Sequence, residues 1–450
     1  MIDLVFVLLF SIAGVFVGVI SGLLPGLHVN SISLILLSAS GGIVALCSPL
    51  VGFGFSEQLI LVLICCFILS VSISHSYHDN LPTIFLGAPE EETALSVLPT
   101  HGLLLRGRGY DAVVLSALGG LGAIAACFLL LYVIRFLIGP PLLLYTMIQG
   151  VMAWVLIGFV VLMIATDKGS ARRGSVSGTK AYEISMALAV FVFILSGVFG
   201  LVINLVPVWS LVGLPSTVLF PALSGLFGAP TLFLSLRSTP VIPQQTIEPL
   251  ILTKKEKKST IFSVLAGSCA GILVSILPGV TSSTGTLLAM NTRKESDYRQ
   301  TIVTLSAVNT ASAFIVVVVL FLILKARSGV TLVISELISI EQWTFLMLPT
   351  TLTYFLIALL VSGVVSYFLV LKIGRLFAIW FPKLSYQKLV AGTFAFVVFL
   401  VVLFTGVIGV LVFFVAMCIG LLPVLYGVRR SHCMGVLLVP VILYFLPSLE

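Results

Sequence analysis

Apolar residues in this chain do not alternate with polar ones; they come in unbroken runs. The runs fall at 4–24, 31–51, 57–75, 111–138, 142–165, 182–206, 211–235, 261–277, 284–290, 301–324, 344–371, 388–404, 406–428 and 433–449. Most approach or exceed about 20 residues, the length that carries an α-helix across roughly 30 Å of hydrocarbon. A transmembrane β-barrel would show period-two alternation instead. The pattern predicts an all-α, polytopic integral membrane protein with about 10–12 transmembrane helices. Shorter re-entrant or broken pieces are expected where a run is interrupted, as at Pro25 and Pro278.

Those two interruptions are alike. From Gly14 the chain reads GVFVGVISGLLPGLHVNSISLILL, and from Gly267 it reads GSCAGILVSILPGVTSSTGTLLAM. Both fit G-x3-G-x5-L-P-G, then a polar stretch, then apolar residues. Gly14, Gly18, Leu24, Pro25 and Gly26 match Gly267, Gly271, Leu277, Pro278 and Gly279 without a gap. The second copy starts just over half a chain after the first, so the pattern predicts an internal duplication. The expected units are a first transmembrane repeat over 1–240, a basic cytoplasmic linker over 241–260 and a second repeat over 261–450. Lys254, Lys255, Lys257 and Lys258 precede the second copy, and only Asp3 precedes the first. Lys and Arg collect on the cytoplasmic side, so the two copies are expected to enter from opposite faces, as inverted-topology repeats.

A break of this kind has a chemical use. Proline removes a backbone donor, and glycine permits the bend that follows. The next half-helix then starts inside the protein with unsatisfied N–H groups and the positive end of its dipole. Such groups survive at membrane depth only against protein or a polar cavity, and they attract anions. Paired broken helices at matching positions point to a secondary transporter's binding site. The expected substrate-binding residues are Pro25, Gly26, His28, Asn30 and Ser31 in the first copy, and Pro278, Gly279, Thr281, Ser282, Ser283 and Thr284 in the second.

A second polar region spans Ser72 to Gly109, with His75, His78, Asp79, Asn80, Glu90, Glu91, Glu92 and His101. Ionisable residues beside apolar segments are functional candidates. Leu81–Ala88 is too short to span and is expected to form a re-entrant hairpin or an interfacial loop. The comparable zone of the second half is SAVNTASAF, with Asn309, Thr310 and Ser312. Asp79, Asn80, Glu90, Asn309 and Thr310 are the candidates for coupling to Na⁺ or H⁺. His75 and His78 are three apart, but no carboxylate or cysteine completes a metal set, and no cofactor is expected.

Composition sharpens this only in places. The chain is 60% hydrophobic and 9% charged, against about 25% charged in soluble domains. The net charge of +7 belongs to loops facing the cytoplasm, so no nucleic-acid partner is expected. The seven cysteines are scattered, most of them in apolar runs, with no disulfide or metal spacing. Met-Ile-Asp lacks a basic n-region, so the first run reads as a retained helix. No connection is long enough for a soluble catalytic domain, and there is no P-loop, so the chain is expected not to be an enzyme.

The paired L-P-G breaks resemble those of the large membrane subunit of the tripartite tricarboxylate transporters, the TctA type. The stretch from Leu81 is similar to that family too, at Leu86-Gly87-Ala88-Pro89, Thr93-Ala94-Leu95, Pro99 and Arg106-Gly107-Arg108-Gly109. Asn309-Thr310-Ala311 echoes the family's Asn-Asn-Ala-Ala. The chain departs from the pattern at His28-Val29-Asn30, where the family carries small residues, as a divergent branch would. The resemblance implies a multi-pass permease of the cell membrane. Its implied partners are a small membrane subunit and an extracytoplasmic solute-binding protein. The combined expectation is an ion-gradient-driven transporter of a small organic anion, a di- or tricarboxylate. Two other readings compete: a polyprenyl-phosphate translocase, and an intramembrane enzyme using Asp79 with His75 or His78.

Overall fold

A computed structural model describes residues 2–24, 29–87, 93, 97–167, 179–213, 217–236, 242–291, 297–344 and 346–446, and among these the regular elements are all helical. The first half holds α1 (Ile2–Leu23), α2 (Val29–Cys47), α3 (Glu57–His78), α4 (Asn80–Leu86), α5 (Val97–Leu104), α6 (Gly109–Ile138), α7 (Leu144–Gln149), α8 (Met152–Ala165) and α9 (Thr179–Ile203). Next come α10 (Leu219–Leu223) and α11 (Ala229–Leu236), joined by a π turn at Ser224–Gly228. The second half holds α12 (Lys254–Ile276), α13 (Ser282–Asn291), α14 (Tyr298–Ile323), α15 (Gly329–Leu337), α16 (Thr350–Trp380), α17 (Tyr386–Tyr426) and α18 (Gly435–Phe445).

Nine stretches among the described residues are long and apolar enough to cross a membrane. The runs at 142–165 and 433–449 yield only the shorter apolar helices α8 and Arg430–Phe445. Within α17 the backbone turns at Gly406 (φ 63°, ψ −162°), between the two apolar runs read at 388–404 and 406–428.

The glycines of each G-x3-G let helices touch. A Cβ on Gly267 or Gly271 would lie 2.7 and 2.6 Å from the Cβ atoms of Ala307 and Ala311, so α12 and α14 pack side by side in the same direction. Between them α13 runs back, with Gly285 against Val274 and the Ala270 carbonyl. α12 and α13 therefore form a hairpin with its tip at Leu277–Thr281. The first half repeats this contact: Gly14, Gly18 and Gly22 of α1 meet Ser70, Ser74 and His78 of α3 in order. α2 runs back in the opposite sense to α1, with Ile43 across an apolar pocket from Leu9, Phe10 and Ala13, and packs on α3 and α15.

Further contacts fix relative direction. Gly363 and Gly374 of α16 meet Ile73 of α3 and Leu81 of α4, and also Ile124 and Val113 of α6. So α16 runs with α3 and against α6. α6 runs with α14, since Ser116 bonds Ser306 and Phe128 packs on Phe314. It follows that α3 and α14 are antiparallel, and that the two hairpins enter from opposite sides. α14 and the α3–α4 stretch form the centre, with 83% and 78% of their apolar windows buried.

Leu81–Ala88 departs from the expectation. Leu81, Pro82, Ile84 and Phe85 are buried in α4, which continues α3 and ends at Gly87 (φ 64°). Pro82 has no N–H to give the His78 carbonyl, so the hydrogen-bond ladder lapses at the α3–α4 junction while Asp79 keeps helical backbone angles (φ −61°, ψ −22°). The segment therefore extends α3 and is neither a separate hairpin nor an interfacial loop.

Candidate functional site

Pro25, Gly26 and His28 lie outside the described residues, as does Glu90. Asn30 and Ser31 stand in the first turn of α2, with their side chains outside the description. The end of α1 that leads to these residues lies against α3. Ser21 Oγ is 3.1 Å from His75 Nδ1. A Cβ on Gly22 would lie 2.8 Å from the His75 carbonyl and 3.1 Å from the Asp79 nitrogen. His75, His78 and Asp79 are buried at that level. His78 Nδ1 is 2.7 Å from the Ser74 carbonyl. A carbonyl only accepts, so Nδ1 carries the hydrogen and Nε2 of the neutral ring is left as an acceptor. Asn80 Nδ2 donates to Asp79 Oδ1 at 3.0 Å and to the Ser76 carbonyl at 3.1 Å. Asp79 and Asn80 thus stand together at the level of Gly22, near the end of α1.

At the second tip Gly279 takes φ 74°, a left-handed conformation that a side chain strains. α13 then starts inside the protein. The Thr281 N–H donates to Thr284 Oγ1 at 2.9 Å, and Thr284 Oγ1 donates to the Thr281 carbonyl at 2.7 Å. This half of a capping box satisfies the Thr281 N–H. The first-turn N–H groups of a helix have no acceptor one turn back within the helix itself. Ser282 Oγ donates to Asn309 Oδ1 at 3.1 Å. Asn309, Ser283, Thr284 and Thr286 are all buried.

The two regions meet at Gly120 of α6. Where a Gly120 Cβ would stand, the Tyr77 hydroxyl is 2.9 Å away and Thr310 Oγ1 is 3.0 Å away. Tyr77 precedes His78 on α3, and Thr310 follows Asn309 on α14. Three polar atoms on these two stretches of α3 and α14 are buried without a hydrogen-bond partner: the Tyr77 hydroxyl, His78 Nε2 and Asn309 Nδ2. Each such atom costs about 1–3 kcal/mol, and a ligand's polar atoms would remove that penalty. Tyr77, Gly120, Ser116 and Ser306 were not expected from the sequence. The signal available for Tyr77 was its place within Ser-His-Ser-Tyr-His-Asp.

Outside the membrane-spanning stretches, the His101 ring of α5 packs against the Gly87 turn, 2.9 Å from where a Cβ there would stand. Burial pushes its imidazole below the ordinary value, and the nearby Ile84 carbonyl opposes this in part.

Nine apolar helical stretches among the described residues, packed around two buried central helices, define a multi-pass α-helical membrane protein. The chain matches the tripartite tricarboxylate transporter TctA family over residues 8–435 and belongs to it. It is therefore a membrane component of a tripartite transporter, which implies partner subunits. It is also similar to the uncharacterized protein MJ1079 of Methanocaldococcus jannaschii, 27% identical over 451 residues, covering 98% of this chain and 99% of that one. No solved structure matches it.

Proposed function

We propose that the chain is an ion-gradient-driven secondary transporter of a small organic anion, a di- or tricarboxylate, working by alternating access between two inverted repeats. The observation that carries this reading is the second tip. There α13 begins inside the protein, with several hydroxyls and the Asn309 amide, whose Nδ2 has no hydrogen-bond partner, gathered around its first turn. Donors without a fixed negative charge suit a carboxylate. The matched packing of α1 on α3 and of α12 on α14 supports two repeats that rock against each other. Asp79, Asn80 and Thr310, on the first-half side and beside Gly120, are assigned to coupling with Na⁺ or H⁺. A small membrane subunit and an extracytoplasmic solute-binding protein complete the transporter.

The test is thermal stabilisation of the purified protein by citrate, succinate and a soluble polyprenyl-phosphate analogue, with and without Na⁺. A ligand that binds only the folded state raises its melting temperature. Stabilisation by a carboxylate is the expected result, and growth of that shift in Na⁺ would name the coupling ion. A shift with the lipid phosphate alone would replace this reading with a lipid-carrier translocase.

A further inference from the structure

The stretches that build the two tips carry no cation of their own. Residues 2–47, 57–86, 259–291 and 300–324 contain neither Lys nor Arg. A di- or tricarboxylate entering a low-dielectric site needs a counter-charge. One arginine is held beside this region by the short turn Arg430–Met434. Met434 Sδ lies 3.9 Å from Thr281 Oγ1, and the start of α18 continues along the tip, with Leu438 and Val441 against Gly279. The turn is pinned from behind. His432 Nε2 meets Asp167 Oδ2 at 2.6 Å, with both side chains fully buried. The Arg429 N–H donates to the same oxygen at 2.9 Å, and Ser196 Oγ donates to the His432 carbonyl at 3.1 Å.

This anchoring consumes Asp167 and leaves the Arg430 guanidinium turned elsewhere. Its Nη1 donates to Thr231 Oγ1, and among the described residues no carboxylate pairs with it. Thr231 follows the π turn of Ser224–Gly228, an irregularity common at functional sites. The methyl of Thr231 in turn faces Gly87, whose turn also packs against His101. His101 Nδ1 is buried without a hydrogen-bond partner. A partly buried cation with a hydroxyl as its partner therefore sits between the α4–α5 turn of the first half and the tip of the second hairpin.

We infer that Arg430 is the counter-charge for the transported carboxylate, with Thr231 orienting its guanidinium and His101 packed against the same Gly87 turn as Thr231. This rests on the carboxylate reading above and assigns its charge recognition to a residue outside both broken helices. A guanidinium offers a planar, bidentate fork to a carboxylate, which an ammonium does not.

The experiment is citrate-dependent thermal stabilisation of the full chain as wild type, R430Q, R430K and T231V at fixed pH and Na⁺. R430Q is expected to bind citrate about 100-fold more weakly while its unliganded melting temperature does not fall, because an unpaired cation has been removed. R430K is expected to fall between R430Q and wild type, and T231V to lose about tenfold. Citrate affinity in R430Q within about twofold of wild type would overturn the assignment. Should R430Q fail to fold, unchanged affinity in both R430K and T231V would do the same. A wild type that neither citrate nor succinate stabilises would overturn the carboxylate reading itself, and this inference with it. That failure is read on wild type alone, so the two are distinguishable.

Discussion

Asn309 shows how one side chain serves both fold and site. Its Oδ1 accepts from Ser282, tying the start of α13 to α14, while its Nδ2 has no partner. Asn309→Leu removes both. We expect loss of the citrate-dependent shift with a stability change of about 1–3 kcal/mol, read by thermal unfolding with and without citrate. Retained citrate binding would remove Asn309 from the site. Asp79 is the matching case on the first-half side. Asp79→Asn keeps the shape and the neighbouring Asn80 but deletes the charge. If Asp79 couples to a cation, the variant should bind citrate equally well in Na⁺ and in choline, whereas wild type should not. His101 makes a pH prediction. Its folded-state value is depressed by burial, so the folded protein resists protonation there. The stability tied to the neutral ring is complete above about pH 6.5, the unfolded value, and is lost as the pH falls through the lower folded value. Between pH 7 and pH 5 the wild type should therefore lose more melting temperature than His101→Gln. Equal losses would mean that the ring is not held neutral.

The second hairpin is the element most legible in the sequence, and the reason is local. Proline and glycine act on the residues beside them, so L-P-G within an apolar run reports a tip without knowledge of the tertiary fold. The G-x3-G before each tip reports a close contact in the same way. The identity of the contacted helix was hidden, because Gly271 meeting Ala311 and Gly18 meeting Ser74 depend on the route taken by the intervening chain. α4 was hidden for a related reason. Its eight-residue apolar piece is too short to span alone, and only its stacking beneath α3 makes the 30-residue stretch Glu57–Leu86. Tyr77 and Arg430 were illegible because their meaning comes from partners far off in sequence, Gly120 and Thr231. The element-scale prediction concerns the packing glycines. Gly271→Leu places a side chain where a Cβ alone would approach Ala311 to 2.6 Å. Overpacking of that kind costs about 1–3 kcal/mol or more. The expected result is a clearly lower melting temperature, partly restored by Ala311→Gly, and an absence of rescue would show that the α12–α14 contact is not the one strained.

At the scale of the whole molecule, charge and helix direction make one claim. The end of the bundle where α12 begins also collects Arg106 over the Tyr298 ring, Arg299 paired with Glu256, and Tyr110 within the field of Arg375. The opposite end holds Arg135 near Thr344, Lys325 near Gln149, and Arg327 on Tyr145, together with Asp3 beside Tyr354. Basic residues are denser at the first end, which the positive-inside rule assigns to the cytoplasm. The antiparallel α3 and α14 then require the loop before α3 and the loop after α14 to share the outer face. In a background with the native cysteines replaced, Gly52→Cys and Lys325→Cys should react with a membrane-impermeant maleimide added to intact cells, and Lys255→Cys should react only after lysis. Gly52 is exposed, with open space around it, and Lys325 follows the end of α14, so both labels test direction with little disturbance of packing. If positions 52 and 255 label from the same side, α1 and α12 enter from one face and the inverted arrangement fails. If 325 labels with 255, the direction of α14 is wrong, and the ordered contacts of Ser116 with Ser306 and of Phe128 with Phe314 fail with it.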